Sequence, residues 1–174
     1  MKKTPEHILI PDKIQPNIGL SEQTLREVSA LLTTLLADEY VLYTKTKYYH
    51  WNIKSLLMFN DLHKFFDELA EKSNESVDKL AERIRALGFR SIGSLQEFIE
   101  CSTLNFDKTS EVPSDVDMIK NLLADNEQIC RSLREAIDVL DQKIKDPITS
   151  NFLQDLTYHH EKAAWRLRGN LVDV

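Results

Sequence analysis

Five side chains in the first half of this 174-residue chain have the types and spacing of a metal site: His50, then His63 with Asp67, then Asp78 with Glu82. Mixed imidazole and carboxylate donors suit iron, zinc or manganese, and two histidines with carboxylates leave positions open for an oxidant. Iron(II) fits this set first, with zinc as a substitute. On a helix rising 1.5 Å per residue, His63 and Asp78 stand roughly 22 Å apart, so one ion cannot touch both. At 100° per residue, however, residues 63, 67, 78 and 82 fall within an arc of about 100°, on one helical face. Antiparallel pairing of that face with a second copy, about a two-fold axis near Lys72 and Ser73, brings the His63/Asp67 end of one chain against the Asp78/Glu82 end of the other. The spacing therefore predicts two equivalent sites, each built from two chains. Any one of these residues alone would be expected to be a hydrogen-bonded interior histidine or a solvated acid beside Lys79, Arg83 or Arg85. The five together, four of them sharing one helical face, argue for ligands.

Four long helices are expected to position them. Ser21 is a suitable N-cap for the first, in which Leu25, Val28, Leu32, Leu35 and Leu42 recur at helical spacing as far as about Trp51. A loop of about 52–60 leads to the second, whose stripe is Leu62, Phe66, Leu69, Val77, Leu80, Ile84 and Leu87, ended by Gly88. Ser94-Leu95-Gln96-Glu97 has the capping-box pattern and predicts a short helix over 96–100. The third starts near Ser114, with Ile119, Leu122, Ile129, Leu133, Ile137, Leu140 and Ile144 as its stripe. Asp146-Pro147 stops it and supplies a cap and first-turn proline for the fourth, which buries Phe152, Leu156, Ala163 and Leu167. Four long helices with a short one in the crossover between the second and third describe an all-α, ferritin-like four-helix bundle over 21–174. Residues 1–20, with three prolines, read as an extended N-terminal arm.

A di-iron site inside one such bundle needs Glu-x-x-His on two helices, and the long helices carry none. Asp155 and His159, one turn apart, are the nearest competing pair, and both His159 and His160 are assigned structural roles. His160 falls on the apolar stripe and is expected to be a satisfied core histidine.

Twenty-eight acidic against twenty-two basic residues give a formal charge of −6, which argues against a body that grips nucleic acid nonspecifically. No uncharged run approaches the roughly 20 residues of a membrane span, and the N-terminus lacks the apolar region of a secretory signal, so a cytoplasmic protein is expected. Cys101 and Cys130 form no metal pair by spacing and are expected to be reduced.

At the metal-ligand residues the chain resembles the Dps family, the miniferritins known as DNA-binding proteins from starved cells. The resemblance covers about 21–171. It rests on Tyr49-His50-Trp51-Asn52, Leu62-His63, Asp67, Asp78, Ala81-Glu82-Arg83-Ile84 with Leu87-Gly88, and His160-Glu161-Lys162 with Ala164-Trp165 and Leu167-Arg168. It implies a ferroxidase centre with His50, His63 and Asp67 from one subunit and Asp78 and Glu82 from its two-fold mate. It also implies a homo-dodecamer that oxidises Fe(II), preferably with hydrogen peroxide, and stores Fe(III) inside. Trp51, beside His50, is a candidate sink for stray oxidising equivalents, with interface packing as its other reading. Asp141 and Asp146 resemble acids near a three-fold iron entrance, although each also reads as a surface acid or cap. DNA binding, and with it a place at the nucleoid, is expected to be weak, because the arm offers only Lys2, Lys3 and Lys13 against Glu6 and Asp12. The sequence departs from the family in the loop before the second helix. Thirteen steps separate the two histidines where twelve are usual, and Ser55 or Leu56 stands where a glycine is usual. Two other readings are a DNA-protecting shell with a degenerate or zinc-filled site, and a small helical interaction protein with no metal.

Overall fold

The computed structural model describes residues 4–105 and 111–171. Helix α1 spans Glu22–Asn52, α2 Phe59–Ala86, α3 Leu95–Cys101, α4 Asp115–Val139 and α5 Pro147–Arg168. The four long helices form the bundle and α3 lies in the crossover from α2 to α4, the ferritin-like arrangement expected. α1 packs along α2 and α4 along α5, while α1 also meets α3 and α4.

The caps lie where the local chemistry calls for them. Ser21 Oγ accepts from Thr24 N, Ser114 Oγ from Asp117 N, and Ser94 and Glu97 form a reciprocal capping box. Asp146 accepts from the backbone of Ile148 and Thr149, with Pro147 at the first turn of α5. The approach to that cap was not anticipated: α4 ends in a π turn over Leu140–Ile144, and Lys145 takes a left-handed conformation at φ 61°. The Leu140 carbonyl then accepts from both Lys145 and Asp146, which lets the chain reverse within a few residues.

α1 lacks a solvated face along much of its length, because α2, α3, α4 and the N-terminal segment surround it. Its buried polar side chains consequently need partners. Asp38 accepts from Ser102 Oγ (2.7 Å), Thr103 N (2.5 Å) and Thr103 Oγ1 (2.8 Å), fixing the chain just after α3. Burial still raises the Asp38 carboxyl above its usual range against these lowering bonds. Lys45 Nζ reaches Asp125 (2.6 Å) and the Asn105 carbonyl (2.7 Å), joining α1, α4 and the crossover. His160 is a buried core histidine, as expected, bonded to Asn126 Oδ1 (2.9 Å) and Glu39 Oε1 (2.6 Å). Tyr40 stacks on Phe98 with ring centroids 3.9 Å apart, seating α3 on α1. Cys101 is buried and Cys130 half-buried.

The described part of the N-terminal arm is largely extended, yet it is packed against the bundle. Thr4 Oγ1 donates to the Ala30 carbonyl (2.8 Å), and Ile8 and Leu9 enter the core. Farther along, Asp12 N donates to the Gly88 carbonyl (2.8 Å) and Arg90 N to the Ile10 carbonyl (2.9 Å). Arg85 grips the Asp12 carboxylate through both terminal nitrogens (3.0 and 2.8 Å). Gly88 is required twice over. It has φ +80°, and a Cβ there would lie 2.5 Å from Pro16 Cδ. Gly88→Ala is therefore expected to destabilise the protein by about 1–3 kcal/mol. Thermal unfolding at a fixed protein concentration checks this, and an unchanged midpoint would show that neither the turn nor the Pro16 contact matters.

Candidate metal centre

His50 occupies the last turn of α1 and His63 the second turn of α2, so the α1–α2 hairpin brings together residues thirteen positions apart. Their rings approach to 3.9 Å between centroids at 40°, and the Phe59 ring lies 5.4 Å from that of His63. His50 Nδ1 is 2.8 Å from the His63 carbonyl oxygen. A carbonyl can only accept, so Nδ1 carries a proton, which in the neutral ring leaves the Nε2 lone pair for a ligand. This backbone bond does for His50 what an outer carboxylate or carbonyl does for many ligating histidines: it fixes tautomer and ring orientation. Nε2 points toward Asp67, whose Oδ1 is 3.9 Å away. His50 and His63 are thus side by side, with Asp67 within 3.9 Å of His50.

Asp78 and Glu82 project from the other end of α2 and are exposed. Among the described residues, no group of three or more His, Cys, Asp or Glu side chains converges within one chain closely enough to hold a metal ion. Their donor types still fit iron well: neutral imidazole at His50 and anionic carboxylates at Asp67, Asp78 and Glu82. Trp51 is 71% exposed.

Lys47 was missed by the sequence reading. It lies one turn before His50, and its Nζ donates to Asp67 Oδ1 at 2.8 Å. The pairing, principally this hydrogen bond, holds the Asp67 carboxyl below its usual range and lifts the Lys47 ammonium above its own. The ammonium therefore stands on the oxygen nearest His50, where a second cation would compete for the same charge. The three-residue step from Lys47 to His50, placing both on one side of α1, was the signal available in the sequence.

Asp146 does not fit a role at an iron entrance. Its side chain is nearly fully buried, caps α5, bonds Thr149 Oγ1 at 2.5 Å and lies 3.5 Å from Arg83. Burial within one chain can only increase on assembly. Asp141 is exposed. His159 is also exposed, and its neighbour Asp155 shares that surface.

A family model for the ferritin-like domain matches residues 29–174. A DNA protection during starvation protein from Bacillus anthracis is 31% identical over 84% of this chain and 97% of its own length. The chain belongs to the Dps family of ferritin-like miniferritins. A low temperature-induced protein of Nostoc is 41% identical over 87% of this chain and 84% of its own. A Dps protein from Vibrio cholerae, a member of a broad superfamily of ferritin-like diiron-carboxylate proteins, superposes with a TM-score of 0.81 at 25% identity, over 89% of this chain and 95% of that one. Among the described residues, no helix of this Dps protein is long and apolar enough to cross a membrane.

Lys47→Met is expected to free Asp67 and raise affinity for a divalent cation about tenfold, or about 1.4 kcal/mol. Calorimetric titration with Co(II) or Zn(II) reads this directly. Unchanged affinity would mean that Lys47 does not compete with the ion.

Proposed function

We propose that this protein stores iron and consumes peroxide, oxidising Fe(II) at centres shared between two-fold-related subunits of a dodecameric shell. The observation that carries the proposal is the division of the donor set. His50 packs beside His63 and lies 3.9 Å from Asp67 near the start of α2, while Asp78 and Glu82 stand exposed at the other end on the same face as residues 63 and 67. Membership in a diiron-carboxylate family supports an iron-storage role.

The substrate is Fe(II), with hydrogen peroxide as the preferred acceptor. Two Fe(II) ions each give one electron to one peroxide; its O–O bond breaks, two protons are taken up, two waters form and two Fe(III) remain. Delivery of both electrons together avoids release of hydroxyl radical. Asp78 and Glu82 supply two negative charges that favour the trivalent product. His50 Nε2 and His63 bind through neutral imidazole, weakly enough for the product to leave toward the mineral. Asp67 serves the second ion once Lys47 yields its oxygen. Trp51 is proposed to absorb oxidising equivalents that escape. The net charge of −6, repeated over twelve subunits, draws cations toward the shell and disfavours tight DNA binding. A cytoplasmic location follows from this role, and zinc would occupy the same donors without redox turnover.

Subunit complementation tests the shared site. Asp78→Asn with Glu82→Gln, and separately His50→Ala with His63→Ala, are each expected to slow peroxide-driven Fe(II) oxidation about 10- to 100-fold or more. Co-assembly of the two variants leaves one intact site at each mixed interface, so activity should return in part, at about two Fe(II) per peroxide and with soluble product. No recovery in verified mixed assemblies would sink the two-chain site. Trp51→Phe should increase peroxide-dependent protein damage while leaving that stoichiometry unchanged.

A further inference from the structure

Antiparallel pairing of α2 about Lys72 and Ser73 puts Glu82 opposite the partner's His63, and the same register puts Arg85 opposite the partner's Asn60. Arg85 lies five full turns from Asp67 at about 3.6 residues per turn, on the face that meets the partner. That arginine holds Asp12 of its own N-terminal arm with two hydrogen bonds, and the arm is further tied to the Gly88 carbonyl. The arm is therefore fixed at the edge of the paired face. Two residues beyond Asp12, Ile14 is 88% exposed. The α1–α2 loop, which in the partner would lie opposite this edge, presents Leu56 at 97% and Leu57 at 90% exposure. Among the described residues these are the three most exposed large apolar side chains, and each chain carries both halves of the match.

We propose that the N-terminal arm of each subunit seats on the α1–α2 loop of its two-fold mate, Ile14 packing on Leu56 and Leu57, and closes one side of the shared metal site. The occupant is a second copy of this chain, because the register that completes the ligand set also brings these two patches together. The inference rests on the two-chain site proposed above. Since the loop leads directly into Phe59 and His63, a seated arm would restrict water and small-molecule access beside the metal. It also gives the loop's extra residue and missing glycine a use, as a platform for the arm of the neighbour.

Thiol cross-linking of the full chain separates the two ideas. Ile14→Cys with Leu57→Cys, treated with a short bismaleimide, should give a band of doubled mass on denaturing gels that neither single variant gives. Glu71→Cys with Asn74→Cys, which flank the two-fold axis on the exposed face of α2, reports the interface itself. The native thiols interfere little at neutral pH, because Cys101 is buried and burial pushes the Cys130 thiol up to about 11. Linkage of both pairs supports the seated arm. Linkage of the α2 pair alone overturns it while leaving the interface intact, and linkage of neither removes both. Ile14→Ser with Leu57→Ser should release bound Zn(II) to a chelator several-fold faster than the parent; release at the parent rate would overturn the closing role.

Discussion

The rigidity of α2 is the constraint on which the remaining features turn, because an α-helix holds its residues at a fixed rise and cannot fold its two ends onto one ion. With His63 and Asp67 near its start and Asp78 and Glu82 near its end, a single chain offers two incomplete donor sets on one exposed face. In the proposed assembly, what the helix denies within a chain would be supplied between chains, since two rods laid antiparallel meet along their whole length. Ligand binding and subunit pairing would then stabilise each other.

Holding α2 in place depends on an interior that contains several buried polar side chains. α1 is surrounded, so Asp38, Glu39 and Lys45 are buried and each must be answered from another element. The answers come from the crossover, from α4 and from α5: Ser102 and Thr103 for Asp38, Asp125 and Asn105 for Lys45, and His160 for Glu39. Removing one member of such a buried pair costs about 3–5 kcal/mol, far more than an exposed pair contributes. These contacts pin α1 in rotation as well as position, and rotation decides where His50 and Lys47 project. The His50 and Lys47 side chains are thus oriented by polar bonds buried inside the bundle.

The ends of α2 are finished differently, and each finish bears on the face between them. At the start, His50 reaches the backbone of His63, so the imidazole is oriented before any ion arrives. At the finish, Gly88 turns left-handed and lets the N-terminal arm close over the helix end. Lys47 meanwhile pairs with Asp67 at 2.8 Å, balancing that carboxylate beside the His50 imidazole.

Helix limits, caps and the candidate ligand residues were legible in the sequence because each is decided over a few residues. Serine before a helix, the capping box at Ser94, proline after Asp146 and glycine after Leu87 act through bonds to near neighbours. The ligand row was legible for the same reason, since helical periodicity alone puts His63, Asp67, Asp78 and Glu82 on one face. The π turn before Asp146, the pairing of Lys47 with Asp67, the partners of Asp38, Glu39 and Lys45, and the docking of the arm on Gly88 and Arg85 were not. These contacts join residues far apart in the chain, or depend on how one helix is rotated against another. No local pattern encodes that rotation; it comes from packing all the helices at once. The sequence by itself determined which residues could serve as ligands and that one helix could not unite them, and only the tertiary structure decided which charges and backbone atoms hold them ready.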